Sequence, residues 1–326
     1  MEWENERVLI TGGLGFIGSS LAHSLVSAGG DVTILDARIP KYGSNPKNIS
    51  GIGDEVRIVE GDVRDAETVA DVVESHDVIF HLAAQLSRTV SNERPGVDAS
   101  INCTGFLNVL SAANSIEPSP RVVFTSSQAV VGSPSQLPFD ETTPAAPRDV
   151  YGANKRAGEL YCDVFDQAHD VPTVAVRLTN VYGPRAQLSN SSYGVIHNFI
   201  ANALTDDELT VFEPGTMKRD FVYVDDVVAA LLKLGKDDGA DGERYVVGTG
   251  RPTTIKELAK TIVDVADSGR VKLVPWPDEW DAIRVGDLYS DPAKMEKHGW
   301  EAETRLESGL KRTIEYYREN LDSYLK

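Results

Sequence analysis

Arg7-Val-Leu-Ile-Thr-Gly-Gly-Leu-Gly-Phe-Ile-Gly18 opens the chain as a short apolar run that breaks into glycines and resumes with helical spacing. A buried strand that hands over to a helix reads this way. Gly12, Gly15 and Gly18 stand three apart, and each has a task in such a turn. The first lets the backbone turn tightly, the second leaves room for a pyrophosphate to approach, and the third lets the helix pack on the strand. The spacing, G-x-x-G-x-x-G, differs by one residue from the G-x-G-x-x-G dinucleotide fingerprint. After a helix over Phe16 to Ala28 comes Asp31-Val-Thr-Ile-Leu-Asp36, a second apolar strand. It ends in an acid about 20 residues past the glycines, where a carboxylate binds the adenosine ribose hydroxyls. Asp36 there repels a 2′-phosphate and favours NAD over NADP, whereas Arg38, two residues on, works in the opposite sense.

A chain of 326 residues can bury a large core, in one compact unit or two closely joined ones. No run of about 18 apolar residues is present to span a bilayer, and Met1-Glu-Trp-Glu-Asn-Glu6 lacks the basic-then-apolar character of a signal peptide. The expectation is a cytoplasmic protein with no membrane partner. Cys103 and Cys162 fall in helical stretches with no Cys/His cluster nearby, so they read as reduced core or near-core residues, with no disulfide and no metal site. Fifty acids against 32 bases give a net charge of -18, which argues against nucleic acid as a partner. The acids are spread along the chain and arginine outnumbers lysine, as on a salt-adapted surface, although an ordinary acidic enzyme fits equally. An anionic ligand has to be captured by local arginines working against that field.

Apolar strand-like runs recur with helical stretches between them: Val8 to Thr11, Val32 to Asp36, Val56 to Glu60, Val78 to Leu82, Val122 to Ser126 and Thr173 to Leu178. Strands buried on both faces of a parallel sheet have this composition, and right-handed helical crossovers must join them. The prediction is an α/β fold, a doubly wound parallel Rossmann sheet over residues 1–183, with a smaller mixed α/β substrate-binding region over residues 184–326. Tyr193 to Leu204, Asp225 to Lys236, Ile255 to Asp267 and Leu306 to Leu321 read as helices, and Arg219 to Val224 and Arg244 to Val247 as strands. Arg219 to Lys236 and part of the 240s are expected to return to the first domain. The second region should close a cleft at the carboxyl ends of the strands.

Tyr151-Gly-Ala-Asn-Lys155 follows the proline-interrupted loop Thr142-Thr-Pro-Ala-Ala-Pro-Arg-Asp-Val150 and starts a helical run to Asp166. Positions i and i+4 share a helix face, so phenol and ammonium can approach one ligand. A fixed ammonium is expected to lower the tyrosine pKa from about 10, making Tyr151 a usable general base or acid. Val122-Val-Phe-Thr-Ser-Ser-Gln-Ala-Val-Val-Gly132 supplies a buried strand that ends in hydroxyls at the same sheet edge as the glycine turn.

Glycine turn, strand-end acid, Ser-Ser and Tyr-x-x-x-Lys together resemble the extended short-chain dehydrogenase/reductase family, the nucleotide-sugar epimerases and dehydratases. The likeness runs through nearly the whole chain. It implies NAD held by Gly12, Gly15, Phe16, Ile17, Gly18 and Asp36, by Asp62 and Val63 of Gly61-Asp62-Val63 near the adenine, and by Leu82, Ala83, Ala84 and Gln85 of His81-Leu-Ala-Ala-Gln85. By the family pattern Ser127 is the catalytic hydroxyl, with Ser126 beside it. Tyr151 deprotonates a sugar hydroxyl, and Lys155 holds the nicotinamide ribose. The resemblance places Ser87, Ser127, Gln128, Val195 and Asn180, the last from Arg177-Leu-Thr-Asn-Val-Tyr-Gly-Pro-Arg185, against a nucleotide-sugar substrate. Arg219 of Arg219-Asp-Phe-Val-Tyr-Val-Asp225 and Arg284 of Arg284-Val-Gly-Asp287, with Asp287, would hold its diphosphate. It also implies a homodimer through the helices around Gly96 to Ala113 and Tyr151 to Asp166, with Cys103 and Cys162 near the interface.

Relatives that eliminate water carry an Asp-Glu pair directly after the catalytic hydroxyl, and the sugar-acid decarboxylases a Glu at the second position. Here those positions are Gln128 and Ala129, neither of which can protonate a leaving oxygen. The resemblance therefore implies epimerisation at carbon 4 of a UDP-hexose, through a transient 4-keto sugar. A 4-keto-sugar reductase or dehydrogenase, and a non-catalytic relative, are the other readings. Val131 stands where tyrosine is usual, Glu213-Pro-Gly215 where a Gly-Asp-Gly turn is common, and the segment after Asp287 is short. Plain hexoses, N-acetylated hexoses, uronic acids and dTDP sugars all stay open. Trp276, Trp280 and Trp300 read as packing residues of the second region, and His81 lies inside a strand.

Overall fold

The computed structural model describes residues 3–189, 194–276 and 285–325. Along the chain, β1 (Arg7–Thr11) leads through the glycine turn to α1 (Phe16–Ser27), then β2 (Asp31–Asp36) and β3 (Val56–Glu60). Next come α2 (Ala66–Val73), whose first N–H groups are capped by Asp65, β4 (Val78–His81), and the short helices α3 (Arg88–Glu93) and α4 (Pro95–Ala99). α4 continues through one widened π-helical turn, Ser100–Thr104, into α5 (Gly105–Asn114). β5 (Arg121–Ser127), α6 (Val150–His169) and β6 (Thr173–Leu178) follow. The second half holds β7 (Asn180–Tyr182), α7 (Val195–Leu204), β8 (Glu208–Phe212), β9 (Lys218–Tyr223), α8 (Val224–Leu234), β10 (Arg244–Val247) and β11 (Pro252–Thr254). It ends with α9 (Ile255–Ala266), β12 (Arg270–Val274), α10 (Ala293–Lys297) and α11 (Leu306–Asn320).

Seven strands form one parallel sheet in the order β10-β6-β5-β4-β1-β2-β3. β4 and β6 are buried along their whole length, which is why their sequences are apolar without alternation. Leu9, Leu35, Ile79, Val122 and Phe124 point to one face, under α2, α5 and α6. Val8, Ile10, Ile34, Phe80 and Val123 point to the other, where α1 and α8 pack. β1 pairs with both β2 and β4, so the chain reverses its winding there and opens a crevice at the carboxyl ends. β10 joins this sheet by pairing with β6, and a three-stranded sheet (β11-β9-β7) and the parallel pair β12-β8 stand over the crevice.

Several expectations need correction. The stretch read as one helix from Gly96 to Ala113 starts at Pro95 and carries the π-helical turn in its middle, and β5 runs one residue further, through Ser127. Cys162 faces the sheet in the core with Phe124, away from the solvent side of α6, so it does not lie at that helix's exposed face. Trp300 is buried, its Nε1 donating to the Asp226 carbonyl, whereas Trp276 turns out to wall the cleft, edge-on to Phe212. Tyr193, Trp280 and Arg284 lie outside the described residues. Among those that are described, no helix is long and apolar enough to cross a membrane, and no group of His, Cys, Asp and Glu could hold a metal ion.

Candidate active site

The crevice is a cavity of about 830 Å³ between the sheet edge and the smaller region. Its floor is the glycine turn. Gly12 has φ +73°, and a Cβ there would sit 2.8 Å from the Ala83 nitrogen at the end of β4. A Cβ on Gly18 would press into the Gly12 carbonyl, whereas one on Gly15 would meet only that same carbonyl at 3.2 Å. Thus Gly12 and Gly18 are fixed by close packing, and Gly15 keeps the approach to the helix open. Gly15 caps α1 without a side-chain hydrogen bond, leaving first-turn N–H groups for an anion.

Asp36 accepts from the Leu14 N–H (3.0 Å) and the Arg38 N–H (2.8 Å), and these bonds aim its carboxylate into the cavity. The Arg38 side chain turns away to Glu60 at 3.2 Å and leaves the cavity wall, so it presents no cation to a 2′-phosphate. Asp62 and Val63 line the same end, with Asp62 held by Arg64 below the usual carboxylate range. Leu82, Ala83 and Ala84 line the wall, as do Phe16 and Ile17. Gln85 and Ser87 do not. The loop after β4 turns Gln85 inward, with its amide nitrogen on the Ser87 carbonyl (2.9 Å) and Asp98 (2.7 Å), while the Ser87 hydroxyl caps α3. Leu86 and Arg88, which the sequence reading missed, face the cavity instead.

Ser127 ends β5, and its Oγ accepts from the Ala129 N–H (3.2 Å) and hydrogen-bonds the Tyr151 phenol. Strand alternation sends the neighbouring Ser126 hydroxyl the other way, to Glu159 at 2.7 Å. Asp149 caps α6 by accepting from the Gly152 N–H (2.7 Å) and pairs with Arg88. Lys155 is buried, its Nζ donating to the Thr125 carbonyl at 2.8 Å and lying 6.0 Å from the centre of the Tyr151 ring. Burial brings the Lys155 ammonium down to about 8. Burial also pushes the Tyr151 phenol well above its ordinary value, Asp98 and Asp149 add to this, and the Ser127 hydrogen bond and Arg88 oppose it. The expected lowering of the tyrosine is therefore not found in the cleft. Desolvating a phenolate costs more than the charges around it return.

Gln128 lines the cavity with its Oε1 buried and, among the described residues, without a hydrogen-bond partner, as are the hydroxyls of Ser44 and Thr179, which also line it. Asn180 is anchored by its donation to the Asp220 carbonyl (2.7 Å). Val195 begins α7, whose cap, Gly194, offers no side chain and whose first turn has no acid, and both residues line the cavity. Arg219 reaches the same space, donating to the carbonyls of Lys218 (2.8 Å), Gly286 (2.7 Å) and Val285 (3.1 Å), and burial brings its guanidinium down to about 10. Asp287 lies beside it and accepts from the Lys218 N–H at 2.9 Å. The cleft thus offers, among the described residues, a cation and a helix N-terminus without a side-chain cap at one end, and a serine, phenol and ammonium at the sheet edge. Arg148, Thr210, Phe212 and His197 are further wall residues that no sequence pattern marked.

Residues 8–248 match the sequence profile described as the NAD-dependent epimerase/dehydratase family. The chain belongs to that family. It is 34% identical over 318 residues to the UDP-glucose 4-epimerase of Mycolicibacterium smegmatis, covering 96% of this chain and 98% of the relative. It is 30% identical to the dTDP-D-glucose 4,6-dehydratase of Bos taurus, over 98% of this chain and 90% of that one. The UDP-glucose 4-epimerase of Thermotoga maritima, solved with UDP-glucose, superposes with a TM-score of 0.87 at 31% identity, covering 97% and 99% of the two chains. The protein is an enzyme of the NAD-dependent epimerase/dehydratase family, and NAD is its cofactor. The unpartnered polar atoms, the open Gly15 approach and the Asp36 carboxylate fit that group.

Proposed function

We propose that the protein is a UDP-hexose 4-epimerase that works with a retained NAD. The observation that carries this reading is the turn after Ser127. Gln128 and Ala129 offer no carboxylic acid, and the two acids that act on the phenol are committed elsewhere, Asp98 to three side-chain amides and Asp149 to capping α6 and to Arg88. Elimination of water needs an acid at the leaving oxygen, whereas epimerisation needs only one proton taken and returned. The kinship with UDP-glucose 4-epimerases supports the same reading.

In this assignment Gly12, Gly15, Phe16, Ile17 and Gly18 cradle the pyrophosphate. Asp36 takes the adenosine ribose, Asp62 and Val63 flank the adenine, and Leu82, Ala83 and Ala84 line the ring's path toward Lys155. When bound, NAD supplies a hydride acceptor that becomes a donor. Ser127 would orient the carbon-4 hydroxyl, and Tyr151, as the phenolate that the Lys155 ammonium stabilises, would take its proton as the carbon-4 hydride leaves, and return it to the same oxygen when the hydride comes back to the other face of the turned sugar. Lys155 holds the nicotinamide ribose and stabilises negative charge on the phenol. Asn180, Gln128 and Val195 bound the sugar, while Arg219, with the α7 N-terminus, grips the diphosphate and so provides the pivot about which a keto sugar can turn. Such a reaction belongs in the cytoplasm. Leu160 and Val164, exposed one turn apart on α6, support a homodimer through that helix.

The test is to incubate the purified protein separately with UDP-glucose, UDP-N-acetylglucosamine and UDP-glucuronate, adding no cofactor, and to follow the anomeric protons by NMR. A galacto-configured product names the substrate and establishes retained NAD. No conversion of any of the three, together with turnover of added NADH on a 4-keto sugar, would replace the epimerase with a reductase.

A further inference from the structure

Behind the catalytic turn of α6 lies a carboxylate that the reaction above does not use. Asp98, near the end of α4, is 0% exposed. Its Oδ2 accepts from the Gln85 amide nitrogen (2.7 Å), and its Oδ1 accepts from those of Asn102 (3.0 Å) and Asn154 (2.6 Å). The orientations of two of these amides are fixed independently. The Gln85 Oε1 accepts from the Ser87 N–H (2.5 Å), and the Asn102 Oδ1 accepts from the Gln85 N–H (3.0 Å), so each must turn its NH2 toward Asp98. A site made only of donors suits an ionised carboxylate and gives a protonated one no acceptor for its O–H. The widened turn at Ser100–Thr104 holds Asn102 one helical turn beyond Asp98 and on the same face. Asn154 sits between Tyr151 and Lys155 in sequence, so this amide cluster ties the cofactor-side loop, α4 and the catalytic turn together.

We propose that Asp98 is a positioning residue of the active site, a buried anion whose charge keeps the Lys155 ammonium in its charged form and whose bond to Asn154 sets the α6 turn that carries Tyr151 and Lys155. This rests on the roles proposed above for those two residues. Lys155 is faced by Asp98 from α4, by Cys103 from the widened turn, by Cys162 and Tyr151 from its own helix, by His81 from β4, and by the Phe124 ring and Thr125 carbonyl of β5. Burial keeps both thiols and the phenol neutral, and it brings His81 to about 3, so that it too is neutral. Asp98 is thus the one full negative charge of that set. It acts without touching the ammonium, through a medium of low dielectric where charge is felt over several ångströms.

The test reads the lysine directly. Trace acetylation of the purified chain across a pH series, followed by peptide mass spectrometry, gives the titration midpoint of Lys155. The midpoint of the native chain is expected near 8 and is expected to fall by about one pH unit in Asp98→Asn and in Asp98→Ser, which share only the loss of charge. The alkaline limb of kcat for sugar interconversion should move by the same amount, with KM changed less than twofold. An unmoved midpoint in either variant overturns the proposal, since a purely steric role would not shift it. Should neither variant fold, a native midpoint below 7 overturns it alone, and one near 8 sustains it. A protein that interconverts no sugar would still report the lysine titration, so this inference and the epimerase reading fail separately.

Discussion

A phenol and an ammonium four residues apart reach one ligand only if their helix lies close enough to the sheet for both to look over its edge, and glycine sets that distance. A Cβ on Gly158 would run into the Phe124 ring, and one on Gly152 would sit 2.6 Å from the Ala129 carbonyl. Gly158→Ala should therefore lift α6 off β5, lengthen the Lys155 bond to the Thr125 carbonyl, and cost about 1–3 kcal/mol of stability with a larger than tenfold loss of turnover. Phe124→Leu, made in the same chain, should return part of both. Additive losses in denaturant unfolding and rate would mean that the two side chains do not share the space. Tyr151→Phe should lower turnover about 1,000-fold and leave NAD bound, measured as nucleotide released on denaturation, and turnover within tenfold of the parent would remove the tyrosine from its role. Sequence spacing put Tyr151, Lys155 and the glycines at one cleft, where the structure has them, because each is fixed by local geometry. It did not show that Leu86 and Arg88 line the cavity in place of Gln85 and Ser87, because nothing in the letters shows which residues of an irregular loop face inward, and a one-residue change of phase exchanges the two pairs.

α6, which carries Tyr151 and Lys155, is anchored to the sheet through a buried carboxylate. One turn beyond Lys155, Glu159 is fully buried and accepts from the Arg177 guanidinium through both oxygens (2.8 and 2.9 Å), from Arg156 (2.8 Å) and from the Ser126 hydroxyl (2.7 Å). Burial alone would favour the neutral acid, but the Arg177 hydrogen bonds and charge hold this carboxyl below its usual range. The network pins α6 to β5 and β6 at the level of Ser127. Removing the charge leaves Arg177 buried without its partner, so Glu159→Gln should cost about 3 kcal/mol in chemical denaturation. A loss below about 1 kcal/mol would show that the guanidinium finds other acceptors. The start of α6 was legible in the sequence, whereas its end, at His169, lies three residues past the expected Asp166, and the widened turn between α4 and α5 was not legible. A π-helical turn has no residue signature of its own, and here it is set by what Asn102 binds across the fold.

At the scale of the molecule, the parallel sheet was legible because strands buried on both faces leave continuous apolar runs. The smaller region was harder to read, since its strands of three to six residues are ordered by partners distant in sequence, as β11 is by β9 and β12 by β8. The same burial that makes the core legible makes it sensitive to acid. His81, stacked on Phe106 and bonded to the Thr11 hydroxyl at 2.9 Å, is brought by burial to about 3, and His197, edge-on to Phe16, to about 4. Both bind protons only in the unfolded chain between those values and about 6.5, so the stability they allow is complete above pH 6.5 and is lost as pH falls. The net charge of -18 works the other way, because acidification relieves its repulsion. At about 1 M KCl, where the screening length is roughly 3 Å, that opposing effect is largely suppressed. Under that salt, moving from pH 7 to pH 5.5 should cost about 2–3 kcal/mol of unfolding free energy. His197→Leu, which replaces an imidazole whose Nε2 has no hydrogen-bond partner among the described residues, should remove about half of the loss. Equal stability at the two pH values would mean that the two imidazoles find protons in the folded state, by opening toward the cleft that His197 lines.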